Sequence, residues 1–200
     1  MPRLPMTETE LSNTRAAILT QAAKIVGHSG LAGLSMRRLA ATLKLTPGAI
    51  YRYFPSKQDL LWAFWQDALA DLRSSFEEID SSTDDPLLAI GTMLRAYADF
   101  GLADRDRFRL LFLENDQGLT NVLEHDEAAL APYANLRRRV AQAISTKMMV
   151  ERDVERTTQM LWACVHGAVT LTATINEIDF GDVDQLIDAT IDTVMRGLAA

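Results

Sequence analysis

The stretch SMRRLAATLKLTPGAIYRYFPSKQDLL, residues 35–61, decides how the rest of the chain is read. Met36, Leu39, Ala40 and Leu43 recur at helical spacing, and Ser35 stands where a side-chain oxygen would cap such a helix. Residues 44–46 then turn the chain. Thr46 is placed to cap a second, shorter helix, and Pro47 suits its first position, where an N–H would lack a partner anyway. Ile50 and Phe54, four residues apart, share one face. Ser56, with Asp59 three residues on, opens a third helix in a capping-box-like pair. Two short helices about a tight turn have the geometry of a helix-turn-helix, a unit that places its second helix in the DNA major groove.

Several spaced residues carry a more specific likeness. Leu39-Ala40, Leu45-Thr46, Gly48, Ile50-Tyr51, Tyr53-Phe54, Ser56-Lys57 and Leu60-Leu61 resemble the DNA-binding domain of the TetR family of transcriptional regulators. Ile18, Ala22, Ala23 and Gly30 match that family's first helix and its end. Lys44 departs, standing in the turn where the family usually has Gly. A left-handed lysine there costs on the order of 1 kcal/mol, which the motif can bear. The resemblance implies an all-α fold of about nine helices. A three-helix DNA-binding head would precede a helical ligand-binding and dimerisation body.

Chemistry assigns roles within the head. Thr46, Pro47, Gly48, Ala49 and Tyr51 open the second helix, the end that points into the groove. Gly48 and Ala49 are small enough for close approach, and Ala49 suits a thymine methyl. Arg37 suits a bidentate guanine contact, with a solvated surface charge as the plain alternative. Tyr51, Tyr53 and Lys57 match the family's phosphate clamp, while Arg38 and Arg52 read as phosphate contacts or surface.

The net charge of −7 looks wrong for a DNA binder until it is divided. Residues 1–57 hold eight Lys/Arg and two Asp/Glu, net +6, while residues 58–200 hold twelve and twenty-five, net −13. A basic head on an acidic body sends the head to phosphates and keeps the body off them. The 48% hydrophobic content supports a packed core. No apolar run is long enough for a spanning helix, and the N-terminus lacks a signal pattern. With one cysteine, the expectation is a cytoplasmic protein without a membrane partner. No metal-ligand cluster, phosphate loop or hydrolase motif is legible, so we expect no enzyme, no cofactor and no metal.

Read in order, residues 1–12 form a mobile arm, 13–57 the helix-turn-helix domain, and 58–200 the effector-binding and dimerisation domain, joined by a helix over 58–79. The first helix runs over 14–28 and stops at Gly30. Asp85-Pro86 starts a helix to about residue 102, and 105–114 forms a short one. Residues 115–125 read as a loop. Helix follows over 127–149, with Pro132 either kinking it or marking its true start. The most apolar helix covers 151–178, and Asp182 caps the last.

In the body, LWACVHGAVTL (residues 161–171) resembles the WHG-type C-terminal domain of one branch of these regulators. Met93, Tyr97, Phe100, Phe108, Phe112, Trp162 and His166 are candidates to line a pocket for an apolar or aromatic effector, and each also reads as simple core. Val165, Val169, Ile187, Ile191, Val194, Met195 and Leu198 offer an apolar stripe on the last two helices. A second copy would pair there in a four-helix bundle, unless the stripe closes the chain's own core. Gly167 suggests close helix packing, and Cys164 reads as an inert buried thiol. The expected function is a ligand-responsive repressor that binds a palindromic DNA operator as a homodimer. The competing reading is a helical ligand-binding or protein-interaction module without specific DNA binding.

Overall fold

The computed structural model describes residues 7–112, 130–150 and 152–200. Nine helices are found among them: α1 (Glu8–Gly33), α2 (Met36–Thr42), α3 (Pro47–Tyr51), α4 (Lys57–Ser82), α5 (Pro86–Ala103), α6 (Arg105–Phe112), α7 (Ala131–Ser145), α8 (Val154–Thr174) and α9 (Val183–Arg196). The described residues contain no strand, only an isolated bridge between Met149 and Ala199. None of their helices is long and apolar enough to cross a membrane.

The caps read from the sequence are present. Ser35, Thr46, Ser56, Asp85 and Asp182 each accept from backbone N–H groups of the helix they precede. Each such cap contributes about 1 kcal/mol. Lys44 is left-handed at φ 55°. It closes α2 with paired hydrogen bonds, Lys44 N–H to Ala41 O at 3.2 Å and Leu45 N–H to Ala40 O at 2.8 Å. This is the Schellman arrangement that glycine ordinarily serves.

The structure moves several expected boundaries. Helix α1 begins at Glu8, because Thr7 and Glu10 form a capping box, so 7–12 are not a mobile arm; residues 1–6 lie outside the described residues. Gly30 (φ 65°, ψ 174°) kinks α1 rather than ending it, and the chain resumes its helix to Gly33. Arg38 bridges that kink, donating to Gly33 O at 3.1 Å and Ser29 Oγ at 3.0 Å. Pro132 sits in the first turn of α7 and marks its start; that helix ends at Ser145, short of 149. Helix α8 covers less than 151–178 because Asp153 caps its start and Ile175 closes it. The expected loop at 115–125 lies outside the described residues.

Two apolar cores form. The first joins α1, α2 and α3 to Leu60, Leu61, Phe64 and Trp65 of α4 and to Leu111 of α6. The head therefore does not close at residue 57. The second core joins Leu72 and Phe76 of α4 to α5, Phe108 of α6, α7, α8 and α9. Phe100 and Phe112 pack against both. Helix α5 meets α8 closely at Gly101, where an added Cβ would lie 2.6 Å from Val169 Cγ1. Arg139, buried, ties α7 to the end of α4, donating to the Asp80 carboxylate (2.6 Å) and to the Thr83 carbonyl (2.8 Å).

The left-handed Lys44 gives the first test. Lys44→Gly removes the strain at this one residue, so unfolding by urea will show a gain of about 1 kcal/mol.

Candidate nucleic-acid interface and effector cavity

Helix α3 projects from the head with Ile50 as its anchor in the core. Thr46, Pro47, Gly48, Tyr51 and Arg52 are exposed around it, and Ala49 is half-buried. Nothing lies within 4 Å of a Cβ built on Gly48, so this side of the helix is open to a bulky partner. Arg37 of α2 and Lys44 of the turn are exposed, as is Arg38. Arg38 spends its guanidinium on the α1 kink and holds α2 against α1. Tyr53 is half-buried against the head core. The Lys57 ammonium donates to Leu31 O at 3.1 Å. That bond pins α4 to α1 and leaves two of the three ammonium hydrogens for other acceptors. Arg15, missed by the sequence reading, lies over the Phe54 ring at 4.5 Å and donates to Tyr53 O at 3.4 Å.

The body holds a cavity of about 140 Å³ that is partly open to the surface. Of the expected residues, Tyr97, Phe112 and Trp162 line it. Met93 and Phe108 do not, being fully buried in the second core, and Phe100 packs between the cores. His166 stands behind the wall, its Nδ1 2.7 Å from the Tyr97 hydroxyl. Leu69, Leu72 and Phe76 of α4, Leu94 of α5, and Leu130, Pro132, Tyr133 and Leu136 near and on α7 complete the lining. Their helical spacing was visible in the sequence, but a lining leucine and a core leucine carry the same pattern.

Four rings enclose His166: Tyr97, Phe108, Phe112 and Trp162, with centroids 5.2–6.1 Å from its own. Burial holds its imidazole below the ordinary pKa of 6.5. Burial also pushes the Tyr97 hydroxyl well above its usual range, against a smaller opposing hydrogen bond with Trp162. Also on the cavity wall, Tyr133 donates to Glu155, which Arg137 also holds at 2.8 Å. Burial and this carboxylate raise the Tyr133 hydroxyl to about 12.

The stripe expected to join two copies is mostly interior. Val165, Val169, Ile187, Ile191 and Leu198 are buried in the chain's own second core, and Val194 and Met195 pack half-buried against it. These residues face inward because α8 and α9 must cover α5. The face left outward on α8 carries Met160, Ala163, Cys164 and Leu171, all exposed. Cys164 is thus not the buried thiol expected. Gly167, on the same side, has nothing within 4 Å of a built Cβ, so no close helix packing occurs there within the chain.

A helix-turn-helix head with Arg37, Lys44 and Arg52 exposed, joined to an all-helical body with a cavity, is the architecture of a DNA-binding regulator. Comparison with known proteins agrees. Residues 18–64 match the profile described as "Bacterial regulatory proteins, tetR family", and residues 90–194 match "Tetracyclin repressor-like, C-terminal domain". The chain belongs to the TetR family of transcriptional regulators. The repressor KstR of Mycolicibacterium smegmatis is 37% identical over 78 residues, 39% of this chain and 35% of its own length. The chain thus spans about a third of the curated relatives it matches. A Rhodococcus sp. RHA1 protein of unknown function superposes with a TM-score of 0.77 at 26% identity, covering 99% of this chain and 100% of its own. The TetR regulator PfmR of Thermus thermophilus superposes at 0.75 with 21% identity, covering 92% and 99%.

The His166 environment predicts a pH dependence. Its pKa is depressed in the folded state, so the unfolded chain takes up the proton first as pH falls. The contribution is constant above the ordinary value of 6.5 and is lost progressively below it. Urea unfolding of parent and His166→Gln between pH 7.5 and 5 will show the parent losing more stability.

Proposed function

We propose that the protein is a repressor that binds a palindromic operator as a homodimer and is released by a small effector held in the body. It would act on DNA in the cytoplasm. The exposed, uncrowded face of α3 beside Arg37 and Lys44 carries this reading. Arg37 reaches a guanine edge, Gly48 and Ala49 let the helix settle into the groove, and Tyr51, Arg52 and Lys57 hold phosphates. One such head reads few base pairs, so useful specificity requires two.

The second copy fits the outward face of α8. Met160, Ala163, Cys164, Gly167 and Leu171 recur three, four and seven residues apart there, with no charge among them. Ala189 and Thr193 of α9 are also exposed. The effector acts through α6. Phe112 lines the cavity, Leu111 is buried in the head core, and Asp106 sits where a Cβ on Gly27 of α1 would fall, its Cγ 2.0 Å from that position. A ligand that prefers one placement of α6 shifts the pair of heads toward or away from operator spacing, by no more than its differential affinity.

Selection from random duplexes followed by fluorescence anisotropy will recover a palindrome bound with a steep salt dependence. Arg37→Ala will weaken that site by about 1–3 kcal/mol and relax the preference at one position per half-site. Arg52→Ala will weaken all sequences alike and reduce the salt slope. Leu171→Asp will yield a monomer by light scattering that no longer selects the palindrome. Binding indifferent to sequence in the parent protein would instead favour a helical module without operator recognition.

A further inference from the structure

We infer that the body cavity takes an uncharged, single-ring hydrophobic molecule and rejects carboxylates. The inference rests on the reading of this cavity as the effector site. Size comes first. The cavity measures about 140 Å³, and one of about 150 Å³ lined by aliphatic and aromatic side chains stays dry and binds benzene. One ring with a short substituent fills such a space. A fused polycycle or a long acyl chain exceeds this volume and would extend through the open side into solvent.

Chemistry narrows the class further. Leu69, Leu72, Phe76, Leu94 and Leu136 present only hydrocarbon to the cavity. The polar groups on its wall are already engaged. The Tyr97 hydroxyl is bonded to His166 and interacts with Trp162, and the Tyr133 hydroxyl donates to Glu155. A ligand hydroxyl therefore gains little there. Among the described residues no cationic side chain lines the cavity. Arg137 behind Tyr133 is paired with Glu155, and Arg138 and Arg139 with Asp80. Glu155, held by Tyr133 and Arg137, lies outside the lining, so Arg137 is already engaged and offers an entering carboxylate no partner. An anion here loses its hydration without gaining a partner.

The rings favour a flat occupant. Tyr97 stands edge-on to Phe112 (6.1 Å) and Trp162 (6.3 Å), and Trp162 edge-on to Tyr133 (5.9 Å). Such walls present both ring edges and ring faces to a planar guest, the arrangement aromatic pairs prefer. Trp162, 37% exposed, places part of this wall at the surface, where a small ligand can enter.

The test uses the full-length protein with toluene, benzoate and decanoate as probes. Heat unfolding in sealed cells will show a saturable rise in midpoint with toluene, and binding at least about tenfold tighter than for benzoate or decanoate. Leu136→Phe, which fills the cavity, will abolish the toluene shift. Should that variant fold poorly by circular dichroism, Leu69→Phe on the half-buried wall serves the same purpose. Benzoate or decanoate binding as tightly as toluene would overturn the inference, as would a toluene shift that survives both filling variants. The same probes added to the operator complex separate this inference from the regulatory reading. Toluene that binds the cavity but leaves DNA bound upholds the ligand class and removes the coupling. Release by a charged or long-chain probe, with toluene inert, upholds the regulator and removes the ligand class.

Discussion

The architecture depends on α6, eight residues that place side chains in two cores at once. Phe108 is buried in the body, Leu111 in the head, and Phe112 touches both while lining the cavity. Arg107 adds a guanidinium 5.8 Å above the Phe64 ring and an ion pair with Asp71 at 3.3 Å, fastening α6 to α4. The consecutive Leu111 and Phe112 point about 100° apart on a helix, which is why so short an element can serve both cores. Because α6 places a buried side chain in each core, its displacement is felt in head and body together.

Helix α4 supplies the complementary constraint. Its N-terminal half belongs to the head core and its next turns to the body core, so the two cannot drift apart without breaking one continuous helix. Its start is capped by Ser56 and pinned by the Lys57 bond to Leu31 O. Its far end is held by Arg139, which reaches the Thr83 carbonyl. Burial alone would raise the Asp80 carboxyl, but Arg138 and Arg139 outweigh it and hold the group below its ordinary value. A buried guanidinium without that carboxylate would be strongly destabilising, which makes this corner a sharp alignment device rather than a large source of net stability.

Local strain sits close to α3. Lys44 adopts a glycine-like backbone conformation at the turn, and Gly30 breaks α1 one turn before α2 begins. Lys44 tolerates its strain because the α2 closure over-determines it, and the Arg38 bridge holds the unstrained glycine kink in place. A lysine in that turn also leaves a cation on the exposed side of the head, which a glycine would not.

The sequence by itself determined the helix-turn-helix of the head and the side-chain caps that open helices in head and body. Ser35, Thr46, Pro47, Ser56 and Asp85 act within a few residues of themselves, so their chemistry needs no distant partner. The left-handed turn at Lys44 and the division of charge between head and body belong to the same local kind of information. Only the tertiary structure decided which apolar residues form core, cavity or outer face. All four of Met93, Phe108, Leu72 and Leu136 are buried in the second core at helical spacing, yet only Leu72 and Leu136 also face the cavity. Val165 turned inward and Leu171 outward on one helix for a similar reason. A helical period states that a face is apolar, but the rotation of that helix against its neighbours, set by long-range packing, chooses what the face meets.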